Sequence, residues 1–156
     1  MRIPRETGKA LSLIHIFSLA VWWCDDGSII SNGRRGVFCT DGFERDQVEI
    51  LARYLKIVWN IRTVVAPVKR KRGGTRKEYY RIWIRSAEEL QKFLRIILPH
   101  IEVEEMLPKA ILLYNDSQLQ QRWISEVVDK TRFSQETVEQ WVRQKKEKWK
   151  AYQKMI

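Results

Sequence analysis

A chain of 156 residues with 44% hydrophobic content is long enough for one ordinary domain, or one domain plus a small appendage, and excludes disorder throughout. The 29 Lys and Arg against 19 Asp and Glu give a formal charge of +10, which favours a polyanionic partner, nucleic acid before membrane. Two cysteines, Cys24 and Cys39, exclude a disulfide framework or cysteine-only zinc site, and His15 and His100 lie far apart, so any metal is expected on oxygen ligands, in a reducing, intracellular setting.

The start, MRIPRETGK followed by ALSLIHIFSLAVWWC, has the outline of a secretory signal. It lacks a small-x-small cleavage site, runs straight into Asp25 and Asp26, and is shorter than the ~20 residues of a membrane span. The expectation is therefore a buried helix from about Leu11 to Asp25, ended by Gly27, in a protein neither secreted nor held in a membrane. Because it is apolar on nearly every face, protein must surround it, and a second copy of itself is one candidate.

Next, SIISNGRRGVFCT places β-prone runs at Ser28 to Ser31 and Gly36 to Thr40 around Asn32-Gly33, a dipeptide suited to a tight hairpin turn. From Glu44 to about Trp59, Val48, Leu51, Ala52, Leu55 and Val58 recur at helical spacing opposite a polar face. Ile61 to Val68 and Glu78 to Arg85 flank Gly73-Gly74 and predict a second, longer hairpin. Ser86 and Glu89 then predict a capping box opening a helix whose stripe is Leu90, Phe93, Leu94 and Ile97 and which Pro99 ends. The order helix, hairpin, helix, hairpin, helix reads as α+β, α-β-β-α-β-β-α, with one four-stranded antiparallel sheet.

Period-2 alternation in the last strand sets Tyr80, Ile82 and Ile84 against Tyr79, Arg81, Trp83 and Arg85, leaving one sheet face for a ligand. Basic residues concentrate at that hairpin's tip, where Lys69, Arg70, Lys71, Arg72, Arg76 and Lys77 surround the glycines; with Arg62, Arg81, Trp83 and Arg85 they form the candidate DNA-binding set. Six phosphate contacts would give a salt slope of roughly −5. The competing reading of the tip is a solvated loop. After Pro108 two helices are expected, about Ser117 to Thr131 and Gln135 to Lys154. They read either as a helix-turn-helix offering Arg143, Lys146 and Lys150 to phosphates or as a helical hairpin packed on the rest of the protein or a partner.

Asp25 and Asp26 sit where a helix exposes carbonyl oxygens and the negative end of its dipole, an unfavourable place for carboxylates unless a cation neutralises them. Carbonyls plus an aspartate are hard oxygen ligands of the kind Mg²⁺ prefers. Two acids before a glycine also simply cap turns.

LAVWWCDDG resembles the signature helix of the LAGLIDADG homing endonucleases, in the branch whose motif reads L-A-x-W-[FW]-x-D-D-G-[SG]. The resemblance runs on through VFCT, DQVEILARYLK, YRIWIRS and LPHIEVEEML, covering roughly residues 18 to 109. It implies an endonuclease-like domain over 11–109 with a helical extension over 110–156. It also implies site-specific hydrolysis of double-stranded DNA with Mg²⁺ or Mn²⁺, the alternative being a non-catalytic DNA or intron-RNA binder such as a maturase or regulator. Carried over by position, Asp26 falls on the acidic residue that binds the divalent metal, and Asp25 supports it. Leu19, Ala20, Trp22 and Trp23 fall on the seam where two motif helices meet, with Val21 standing where the motif has a small residue. Lys109 takes the place of a lysine near the active centre, although Met106-Leu107-Pro108-Lys109 replaces the branch's tyrosine-lysine and shifts it by one position. The family's site needs two motif helices and this chain has one, which implies a homodimer or half of a larger protein.

Overall fold

The computed structural model describes residues 5–30 and 33–156, with the side chains of residues 5–14 and 72 outside that description. The elements run α1 (Arg5–Asp26), β1 (Gly27–Ile30), β2 (Arg35–Phe38), α2 (Arg45–Trp59), β3 (Val64–Arg72), β4 (Thr75–Ile84), α3 (Ala87–Ile97), 3₁₀ segments at Leu98–His100 and Glu104–Lys109, α4 (Ser117–Lys130) and α5 (Gln135–Met155). The expected α-β-β-α-β-β-α order is present, and the four strands form one antiparallel sheet in the order β1-β2-β4-β3. Two compact units emerge, one formed by Met1–Asp25 with Leu94–Ile156 and one by Asp26–Phe93.

In the second unit, the helix-to-strand change is abrupt, since α1 ends at Asp26 and Gly27 already pairs with Phe38. Gly33 has φ 74°, as a tight hairpin turn requires; Ser31 and Asn32, the rest of the expected turn, lie outside the described residues. The second hairpin is longer than expected, with β3 and β4 paired without a break from Val64↔Trp83 to Arg72↔Thr75. That register leaves a two-residue turn at Gly73 and Gly74, whose φ values of 58° and 81° are the left-handed pair such a turn demands. Pro67, which has no N–H to donate, is tolerated because β3 is an edge strand.

The buried side of this unit gathers Phe38, Val48, Leu55, Ile61, Ile82, Ile84, Leu90 and Phe93. Phe38 meets Phe93 edge-on with ring centroids 5.6 Å apart. α2 ends at Asn60, whose left-handed φ of 55° is the glycine-like conformation asparagine tolerates, and its N–H donates to the Lys56 carbonyl at 3.0 Å. The capping box expected at Ser86 is half made. The Glu89 N–H donates to the Ser86 hydroxyl at 3.3 Å, but the Glu89 carboxylate accepts from the Arg62 N–H at 2.8 Å and lies 3.6 Å from its guanidinium. The acid thus ties α3 to the entry of β3.

In the first unit, α4 opens on Asp116, whose carboxylate accepts from the Leu119 N–H, and α5 opens on Ser134, whose hydroxyl accepts from the Thr137 N–H. Trp123, Ile124 and Val127 of α4 and Val138 and Val142 of α5 are buried as their spacing predicts, while Val128, Trp141 and Trp149 are half-buried. The two helices form a hairpin packed on the second 3₁₀ segment: Trp141 Nε1 donates to Glu104 at 2.9 Å, and Lys145 Nζ donates to the carbonyls of Pro108 at 2.6 Å and Ile111 at 2.5 Å. Of the two readings of this region, the packed hairpin matches that arrangement. No helix among the described residues is long and apolar enough to cross a membrane.

Candidate active site and nucleic-acid interface

Both carboxylates of the pair are exposed where α1 ends. The Asp26 carbonyl accepts from the Cys39 N–H at 2.9 Å, where β2 leads away from the hairpin. The side chains of Asp25 and Asp26 are hard oxygens of the kind a divalent cation takes. Among the described residues no group of three or more His, Cys, Asp or Glu side chains is arranged to hold a metal. Two carboxylates suit Mg²⁺ or Mn²⁺ in kind but make an incomplete shell for one chain.

The helix leading to them departs from expectation in which side it leaves open. Leu19, Ala20 and Trp23, predicted as contacts to a second helix, are 2%, 1% and 0% exposed within the single chain, and Trp22 is half-buried. The open stripe is instead Phe17 and Val21, 52% and 43% exposed, with Cys24 half-buried and Asp25 exposed below them. The spacing of four, three and one residues puts these on one helical face. With Ile101, Val103 and Met106 they line an apolar hollow of about 220 Å³ whose floor is Ala20. A helix of period 3.6 in an all-apolar sequence does not announce which side its own chain will cover.

Trp23 points inward instead, and its indole N–H donates to the Lys109 carbonyl at 2.7 Å. Lys109 and Asp25 both act on Cys24, whose thiol is pushed up by burial, drawn down by the Lys109 ammonium and raised again by the Asp25 carboxylate. The structure thus gathers Trp23, Cys24, Asp25 and Lys109 in the first unit. The Lys109 backbone belongs to a stretch in which five successive carbonyls accept from side chains. Pro108 and Ile111 accept from Lys145, Lys109 from Trp23, Ala110 from Trp123 at 3.1 Å and Leu112 from Gln120 at 3.0 Å. Lys145 was invisible to sequence reasoning, since it lies in the charged run RQKKEK. It is nonetheless enclosed, and burial, reinforced by repulsion from Lys109, lowers its pKa from 10.5 to about 7.

On the second unit, the strand register sorts the basic residues by face. Opposed pairs share a side, so Arg70 and Lys77 lie with Tyr79, Arg81 and Trp83, whereas Lys69, Lys71 and Arg76 lie with Tyr80 and Ile82 on the other. Arg72 stands opposite Thr75 at the turn. Arg70 directly opposite Lys77 sets like charges side by side, an arrangement an anion relieves. Together with Asp41, Gly42 and Tyr79 they line a hollow of about 240 Å³, and the Lys77 ammonium lies 5.5 Å from the Tyr79 ring centroid.

Arg81, expected to meet DNA, is clamped by Asp41 through two hydrogen bonds, Nε to Oδ1 at 2.7 Å and Nη2 to Oδ2 at 2.6 Å, which hold its pKa up. The Trp83 indole N–H is enclosed with no acceptor among the described residues. Arg62 and Arg85 are exposed just outside the strands, Arg62 leaning toward Glu89. Tyr79, expected on the open face, is only 9% exposed, less than Tyr80, whose ring instead lies 5.2 Å under the Arg45 guanidinium.

A family model described as LAGLIDADG DNA endonuclease family matches residues 2–93. No curated protein matches the chain, and no solved structure does.

Proposed function

The chain belongs to the LAGLIDADG DNA endonuclease family, and from that premise we propose that it is a site-specific endonuclease of duplex DNA, working as a homodimer with a divalent metal. The observation that carries the reading is the end of α1, which carries exposed Asp25 and Asp26 and where Asp25 lines an apolar hollow open on Phe17 and Val21. A hollow of that kind beside carboxylates suits a second motif helix, which would bring a second pair of acids to the incomplete shell. Mg²⁺ or Mn²⁺ held by Asp26 of each copy, with Asp25 in support, would supply Lewis-acid activation of the scissile phosphate. Lys109, fixed through its carbonyl by Trp23, adds a positive charge to balance the phosphate. Arg70, Lys77 and the tip cations neutralise backbone phosphates.

A plasmid library carrying random target sequences, incubated with Mg²⁺ and wild-type protein or Asp26→Asn, tests the chemistry, and sedimentation equilibrium of wild type and Val21→Arg tests the seam. Linear products from wild type alone, and a dimer that Val21→Arg dissociates, are expected. Equal cleavage by both proteins refutes the role of Asp26. A dimer indifferent to Val21→Arg refutes the seam. That one chain supplies only two carboxylates favours one second reading, a non-catalytic DNA or intron-RNA binder. Tight nucleic-acid binding without cleavage by a confirmed dimer would establish it.

A further inference from the structure

Charge in the part of the chain beyond the matched region is unevenly placed. Residues 94–139 carry five Lys and Arg against eight Asp and Glu, whereas residues 140–156 carry six against one. That cationic end takes in all of α5 beyond its first five residues. The first half buries Val138 and Val142 and, through Lys145, grips the Pro108 and Ile111 carbonyls. The last turns leave Tyr152, Met155 and Ile156 at 57%, 86% and 89% exposure, so this end runs out past the body that covers the start.

Arg143, Lys146, Lys150 and Lys154 follow one another at spacings of three and four, which gathers them in an arc of roughly 80° centred about 120–140° away from Val138 and Lys145, with Lys146 nearest the buried Val142. None of the four makes an ion pair or hydrogen bond among the described residues, and Arg143, Lys150 and Lys154 are exposed with Lys146 half-buried. The row is ~16 Å long at 1.5 Å per residue, matching the rise of about five phosphates along one DNA strand.

We infer that this face of α5 is a second nucleic-acid contact, separate from the sheet, which grips the sugar–phosphate backbone of duplex DNA without reading bases. The inference rests on the reading of the protein as a DNA-binding endonuclease. A base-reading role does not fit, because recognition helices probe the groove with their N-terminal residues, and the first turn of α5 carries acidic Glu136 and buries Val138. A membrane surface fits less well, because the apolar stripe that would enter lipid is already occupied over its first half by α4 and the 3₁₀ segment.

The test is the salt dependence of duplex binding by the full chain, measured by fluorescence anisotropy between 50 and 300 mM KCl. Arg143→Gln, Lys146→Gln, Lys150→Gln and Lys154→Gln combined should flatten the log–log slope by roughly 3 to 4, whereas Lys146→Arg, Lys150→Arg and Lys154→Arg combined should leave it unchanged. A parallel variant with Lys69, Arg70, Lys71, Arg76 and Lys77 changed to Gln reports on the sheet. If that hairpin variant loses slope while the α5 variant keeps the wild-type slope, this inference is overturned and the sheet reading stands. If the wild type binds no duplex, both fall. Binding to anionic phosphatidylserine vesicles that the α5 variant abolishes, with duplex binding untouched, also overturns the inference and assigns the face to lipid.

Discussion

Replacing Lys145 with methionine probes the most unusual group in the first unit. Its amine is enclosed against two carbonyls at 2.6 and 2.5 Å, and its pKa falls from 10.5 to about 7 through burial and then repulsion from Lys109. A neutral amine has two N–H donors, which equals the number of carbonyls it serves, whereas the ammonium carries a third that must be left over. The unfolded chain keeps the proton up to about pH 10.5, while the folded chain releases it above about 7. Between those values the unfolded state binds more protons, so stability rises with pH; below 7 the cost of the buried charge is borne in full. Integrated from pH 7 to 9, the gain is about 2 kcal/mol. Urea denaturation followed by tryptophan fluorescence at both pH values, on wild type and Lys145→Met, isolates this group, since every other titration is common to the two proteins. Wild type should gain about 2 kcal/mol relative to the variant over that interval. Changes that agree to within about 0.5 kcal/mol would show that the enclosed amine titrates as it does in water, and the reasoning from burial would be wrong.

The Asp41 clamp predicts opposite effects on stability and binding. Asp41→Ala leaves the Arg81 side chain, 12% exposed, without its carboxylate, costing about 1–3 kcal/mol in urea denaturation, while the released cation steepens the salt slope of duplex binding by about 0.9. The Arg95 guanidinium holds Glu126 through bonds of 2.7 and 2.8 Å and lowers its pKa below 4.5, so this contribution is present above the unfolded value and lost as pH falls through the folded one. Because both groups are partly exposed, Glu126→Gln should cost only about 0.5–1 kcal/mol at pH 6 and nothing near pH 3, measured by thermal denaturation at the two values.

The strands were legible because side-chain alternation and turn chemistry agree with each other. Ile82 and Ile84 alternate with Arg81 and Trp83, Gly73-Gly74 supplies the two positive φ values, and the register follows from the two-residue turn. The same rules carry further than the basic run at the hairpin tip suggests, since six neighbouring cations cannot share one face of a ribbon. Sequence reading treated them as one patch, and pairing divides them. The site was less legible. Aspartates ending an apolar helix could be found by their chemistry, but which side of that helix its own chain covers depends on contacts from residues some 80 positions away. Trp23 bonds to the Lys109 carbonyl. The partners of Arg81 and Glu89, at Asp41 and Arg62, are likewise long-range pairings that no local pattern encodes.

The stretch from Pro108 to Leu112 shows why the helical extension cannot be treated as an appendage. Pro108 prevents a continued helix, and Ala110, Ile111 and Leu112 are at most 1% exposed, so the backbone there is irregular and out of reach of water. Buried carbonyls must find donors, and with no neighbouring strand or helical turn to supply them they take side chains long enough to reach in: one lysine, two indoles and one amide. Four of the five bonds come from α4 and α5 and the fifth from α1. Lys109 therefore owes its place to helices on both sides of it in sequence. A residue whose main chain is set in this way cannot be shifted by one position without exchanging every partner. The same bonds hold the Lys109 main chain against Trp23 of α1.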